Sequence, residues 1–143
     1  MANEFTVTFE GSLDSFNPNF KLHNATDAEI GTVAFSGQTA QFPITWDRIG
    51  DMKDNDPNDY TKPFLAGTKG EDEEIVYMYF YNFKPGVTLY FNGGDLDFTG
   101  DPSSAVPVSA IEGTKVLVML TNGFPLTGEF KVNQGKMEAV INI

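Results

Sequence analysis

The residues best equipped for chemistry in this chain are carboxylates, and they come in two groups. Asp54-x-Asp56-x-Asn58-Asp59 sets oxygen ligands at alternate positions, and Asp95-x-Asp97-x-x-x-Asp101 supplies a second set. Ca²⁺ takes roughly six to eight hard oxygen ligands, for which Asp and Asn side chains with backbone carbonyls are suited. Ca²⁺ is therefore the one cofactor these residues suggest. The spacing is not that of an EF-hand, which would carry Gly at the sixth position and Glu at the twelfth. Asp59 and Leu65 stand there instead. The plainer reading of the same acids is a solvated loop that keeps the protein soluble.

Other reactive constellations are sparse. With no Cys and a single His, His23, a tetrahedral zinc site has nothing to be built from. No G-x-S-x-G elbow surrounds any Ser, and Gly135-Lys136 lacks the earlier Gly and the following hydroxyl of a phosphate loop. Asn24-Ala25-Thr26 matches a glycosylation sequon, which reads as a chance match. A non-enzymatic protein is expected.

Aromatic residues offer binding surface rather than catalysis. Trp46, at the mouth of the acidic region, is either a core residue or a platform for stacking on sugar. Tyr77, Tyr79 and Tyr81 alternate along one strand. They belong either to a central strand packed on both sides, or to one whose Tyr hydroxyls reach solvent at the rim, or to a face that docks on another subunit, since Tyr combines a large apolar area with a polar tip.

The elements that must position these residues are strands. Glu4–Glu10 alternates Phe5, Val7 and Phe9 with threonines, the period of a half-buried strand. Short strands are expected at Phe20/Leu22, over Ile30–Phe35, and over Thr39–Trp46 with Ala40, Phe42, Ile44 and Trp46 on one face. Pro43 places that last strand at an edge or a bulge. Ile75–Tyr81 and Val87–Phe91 read as a hairpin across Lys84-Pro85-Gly86. Pairing Phe83 with Val87 would set Tyr79 opposite Phe91 and Glu73 near Asp97. The Tyr face would then include Phe83, Leu89 and Phe91, opposite Val76, Met78 and Phe80. Ala105–Val108, Lys115–Thr121, Glu129–Val132 and Met137–Ile143 complete the set. Eight or nine short strands with Gly/Pro turns imply an all-β, antiparallel sandwich or barrel, jelly-roll-like or similar.

Residues 47–74 interrupt the pattern. They have no clear period beyond a possible helical turn near 46–52, and they hold nine of the chain's twenty acids. Structureless connections this long are uncommon and usually functional or disordered.

Length and charge bound the rest. A chain of 143 residues with 41% hydrophobic and 13% aromatic residues makes one domain, 1–143, with a core that needs no staple. A net charge of −11 with only nine Lys and Arg argues against a nucleic-acid partner. No apolar run approaches a membrane span, and Met1-Ala2-Asn3-Glu4 lacks the features of a signal peptide. A cytoplasmic protein is expected, or a virion component if the chain is phage-encoded. The leading expectation is a structural or interaction protein that acts by self-association or by binding other protein subunits in a larger assembly, such as a phage tail or capsid-decoration component. The alternative is a Ca²⁺-dependent carbohydrate-binding module or lectin, with Ca²⁺-dependent membrane-surface binding a weaker third.

Overall fold

The computed structural model describes residues 3–16, 19–40, 42–46, 64–67, 75–91, 96–98 and 106–142. Among them run β1 (Glu4–Phe9), β2 (Phe20–Ala25), β3 (Ile30–Ser36), β4 (Ile44–Trp46), β5 (Phe64–Gly67) and β6 (Ile75–Phe83). β7 (Thr88–Phe91), β8 (Leu96–Phe98), β9 (Lys115–Leu120), β10 (Pro125–Glu129), β11 (Lys131–Asn133) and β12 (Lys136–Asn142) follow. The first sheet has the order β11-β12-β1-β2-β7 and the second β10-β9-β3-β6-β5, with β4 and β8 in a separate ribbon. All pairings are antiparallel.

This is the expected antiparallel β-sandwich, with twelve strands among the described residues in place of eight or nine, because β5, β8 and most of β10 lie where no strand is expected and Glu129–Val132 divides between β10 and β11. β5 lies within the acidic region, so residues 47–74 are not one irregular loop.

Alternation builds the core. Phe5, Val7 and Phe9 of β1 and Phe20 and Leu22 of β2 are buried, as are Val33 and Phe35 of β3 and Val116 and Val118 of β9. Rings bridge the two sheets in edge-to-face geometry, the preferred arrangement of two aromatic quadrupoles. Phe20 meets Phe35 at 5.5 Å and Phe5 meets Phe83 at 5.9 Å. Phe130 closes the cluster against Phe9 and Phe35 at 5.2 and 5.5 Å.

Four expectations are corrected. β6 and β7 do not form a hairpin ladder. β6 pairs with β3 and β5, which occupy both its hydrogen-bonding edges, while β7 pairs with β2 in the other sheet. The chain changes sheets at this corner; the backbone of Asp97 pairs with Thr45, and Glu73 lies outside the described residues. The segment around Val108 is a 3-10 turn over Val108–Ile111, not a strand. Thr39 closes a 3-10 turn (Gly37–Thr39), which puts Phe42 out at 61% exposure while Ala40 and Ile44 stay buried. The strand following Pro43 begins only at Ile44. Glu129–Val132 is divided, with Glu129 ending β10 in one sheet and Lys131 starting β11 in the other.

Candidate functional site

The two sheets present very different outer faces. On the first, cross-strand partners form the rows Lys131, Glu138, Thr8, Lys21, Tyr90 and Val140, Thr6, His23, Thr88. Glu4 and Lys136 add further charges at its ends. His23 Nδ1 and Thr88 Oγ1 share a 2.7 Å hydrogen bond across this open face. The partner is a hydroxyl on a neighbouring strand, and no carboxylate completes a catalytic triad among the described residues.

On the second sheet the corresponding rows are Thr127, Leu117, Ala34, Tyr77 and Pro125, Met119, Thr32, Tyr79. Among the described residues, charge on this face is confined to one end, where Glu129 and Lys115 flank Ser36. Tyr77 is 37% exposed, Tyr79 50% and Met119 37%. The two tyrosine rings lie parallel, 6.3 Å apart with 5° between their planes, a consequence of sitting two residues apart on one face of β6. This face is the candidate functional site.

The Tyr alternation was readable in the sequence, but its other half was not. Leu117 and Met119 belong to β9, two strands away, and only the order β9-β3-β6 brings them beside the tyrosines. Phe83, expected on the Tyr face, is instead in the core. Asn82 adopts φ 65° and the register slips between Ile30 and Thr32, so a bulge turns Phe83 inward. Leu89 and Phe91 are also core residues, because β7 faces inward from the opposite sheet. Both faces of β6 are apolar, as expected, but only one is buried.

The corner after Phe83 is held by Asn24, which is fully buried. Its Nδ2 donates to Ala28 C=O at 2.9 Å and to Phe83 C=O at 3.2 Å. Its Oδ1 accepts Thr26 N–H at 3.0 Å and lies 2.6 Å from the Thr26 hydroxyl. Main-chain bonds from Gly86 N–H to Asn24 C=O (2.7 Å) and from Asn24 N–H to Val87 C=O (3.1 Å) tie down the turn beyond it. Both residues of the Asn24-x-Thr26 sequon thus have structural work, and a glycan on Nδ2 would displace this network.

The remaining candidates fall mostly outside the described residues. Asp54, Asp56, Asn58, Asp59, Asp95 and Asp101 all do, and Asp97 is described only along its backbone in β8. The helical turn expected near 46–52 also lies there beyond Trp46. Trp46 and Tyr81 are placed by their backbones, opposite Leu96 and Phe64, and their side chains are likewise outside the description. Among the described residues no three His, Cys, Asp or Glu side chains gather as metal ligands. No helix among them is long and apolar enough to cross a membrane. No protein-family model, curated protein or solved structure matches the chain.

Proposed function

We propose that this protein is a non-enzymatic structural subunit that associates through the outer face of its second sheet, with a second copy of the chain as the occupant. The observation that carries the reading is the absence of charge from the Tyr77, Tyr79, Leu117 and Met119 rows in a chain of net charge −11. Like-charged copies repel over most of their surfaces, and an uncharged apolar face is where they can approach. Five strands at about 4.8 Å and five residues at about 3.4 Å give a face of about 400 Å². Two such faces bury about 800 Å², below the roughly 1,200 Å² of a stable pair. The contact is therefore weak alone and suited to an assembly in which several contacts act together. A phage tail or capsid-decoration component is an assembly of that kind.

Light scattering after size exclusion, from about 10 µM to about 1 mM, tests the reading. The expected mass rises with concentration from 15.7 kDa toward its double. The Tyr77→Lys/Tyr79→Lys protein stays monomeric, while Thr6→Lys/Thr8→Lys on the other sheet behaves as wild type. A wild-type monomer at every concentration, or a Tyr double variant that still associates, sinks the proposal.

Carbohydrate binding is the second reading, favoured by the parallel exposed rings of Tyr77 and Tyr79, which offer a flat stacking surface. A glycan-array signal lost in the Tyr double variant would support it. A thermal melt shifted by millimolar Ca²⁺ and reversed by EDTA would add the cation, since a ligand bound only by the native state raises its stability.

A further inference from the structure

β10, with five residues, is the longest edge strand among the described residues; β5 and β7 have four, and β4, β8 and β11 three. Its hydrogen-bond phase can be read at both ends. Leu120 N–H donates to Phe124 C=O at 3.0 Å, and Phe130 N–H donates to Thr114 C=O at 2.9 Å. The register between them is unbroken. Leu126 and Gly128 therefore turn their main-chain groups toward β9, and Pro125, Thr127 and Glu129 turn theirs outward, because antiparallel partners alternate between bonded and non-bonded pairs. No strand pairs with that side among the described residues. Pro125 has no N–H to offer. The outward donors are those of Thr127 and Glu129, which are exposed and flank Gly128.

This spacing is self-complementary. Two copies of β10 can meet antiparallel about a twofold axis, and the in-phase registers differ in what they match. With Thr127 opposite Thr127, the Glu129 carbonyl faces a proline that cannot donate. With Glu129 opposite Glu129, like charges are directly opposed, which destabilises a sheet. With Gly128 opposite Gly128, each Thr127 faces the partner's Glu129, and every outward N–H of the two strands finds a carbonyl. Gly128 then lies at the axis and brings no side chain to the closest pair.

Charge favours the same occupant. A groove of about 750 Å³ borders this edge, and its charged lining residues are Lys115, Lys131, Glu129 and Glu138. That lining is balanced on a chain of net charge −11, so a second copy can approach here without the repulsion that acts over most of the surface. Glu129 has Lys131 at 3.5 Å and Lys115 beside it on β9, and it would meet the uncharged side chain of the partner's Thr127.

We infer that β10 pairs with β10 of a second copy, antiparallel and centred on Gly128, which merges two five-stranded sheets into one. Residues opposite each other on a ladder share a face, so the two Tyr77/Tyr79 faces come to lie side by side on one surface. Stacked on another such pair, they bury about 1,600 Å², the size of a stable interface. That consequence rests on the Tyr-face reading; the strand pairing does not. Main-chain bonds from so short an edge hold weakly below about 1 mM and take effect once copies are tethered by another contact.

The chain has no Cys, so single thiols report the register. Thr127→Cys and Glu129→Cys proteins, each also carrying Tyr77→Lys/Tyr79→Lys to remove the face contact, are mixed at about 1 mM and oxidised with copper phenanthroline. In the inferred register positions 127 and 129 are opposite, with Cα atoms about 5.5 Å apart and within disulfide reach, whereas each is diagonal to its own copy at about 7–8 Å. The mixed dimer should form about tenfold faster than either self-dimer. In ¹⁵N spectra of the Tyr77→Lys/Tyr79→Lys protein diluted from about 2 mM, the Thr127 and Glu129 amides should move most. Adding Thr127→Pro, which removes an outward N–H without touching the β9 ladder, should leave the Glu129 amide unmoved in a protein whose spectrum stays dispersed. Self-dimers that form as fast as the mixed dimer, or Thr127 and Glu129 amides insensitive to dilution, overturn the inference. With the face contact removed, these results speak for the edge alone, and the wild-type scattering experiment speaks for the Tyr face.

Discussion

Two of the corners at which the chain crosses between its sheets are built in opposite ways. After β6 the crossing is polar. Asn82 bulges the strand, and the buried Asn24 amide holds the carbonyls of Phe83 and Ala28 from the neighbouring strand. After β10 the crossing is apolar. Phe130 plugs the core between Phe9 and Phe35, and Gly128 lets β10 ride against β12. A hydrogen-bonded corner leaves its main-chain groups satisfied, and β7 continues directly as a partner of β2. The aromatic plug holds the two sheets together, with Phe130 N–H donating to Thr114 C=O and Phe130 C=O accepting from Gly113 N–H, both at 2.9 Å, and it leaves the outer edge of β10 unpaired among the described residues. Packing and hydrogen bonding are therefore interchangeable for joining the sheets and not for closing them.

Substitutions at the corners can break this contrast, and urea unfolding gives their order. Phe130→Ala removes the plug and should cost about 3–5 kcal/mol, as large-to-small changes of buried aromatics do. Asn24→Ala should cost about 3 kcal/mol, because Phe83 C=O, Ala28 C=O and Thr26 N–H all lose a buried partner. A loss below about 1 kcal/mol there would mean that water or local rearrangement replaces the amide, and the two corners would not differ in kind. The smallest expected effect is a gain. Thr114, beside the Phe130 corner, is fully buried, and its hydroxyl has no hydrogen-bond partner among the described residues. Thr114→Val keeps the shape, removes that polar atom and should add about 1 kcal/mol. A destabilised Thr114→Val protein would show that the hydroxyl is satisfied after all.

Local pattern made the strands legible. The Phe5/Val7/Phe9 alternation, the V-L-V-M-L run of β9 and the Gln134-Gly135 turn, with both residues at positive φ, lie where the sequence puts them. What could not be read was where a strand changes sheet. At Glu129-Phe130-Lys131 the alternation passes through the corner without a break, since Phe130 points inward from both strands. At Asn82 the alternation does break, but nothing in Tyr81-Asn82-Phe83 marks a bulge in advance. For that reason the tyrosines were legible as half of a face, and the β10 groove was not legible at all. The acidic candidates stand on local spacing alone, and their expected meeting depends on a β6–β7 ladder that does not form.

The neighbours of β1 have a bearing on how this molecule is made. It sits in the interior of its sheet, bonded on one side to β2 and on the other to β12, with Glu4 opposite Asn142. On a ribosome, β1 and β2 emerge early, but the strand that seals the other flank of β1 is translated more than a hundred residues later. Until then Phe5, Val7 and Phe9 sit on a strand with a bare edge, the kind of surface to which chaperones and stray chains attach. Truncated translation products ending before Ala139 should consequently be aggregation-prone, and the yield of folded protein should respond more to slowed synthesis of the final strand than to any change in the loops.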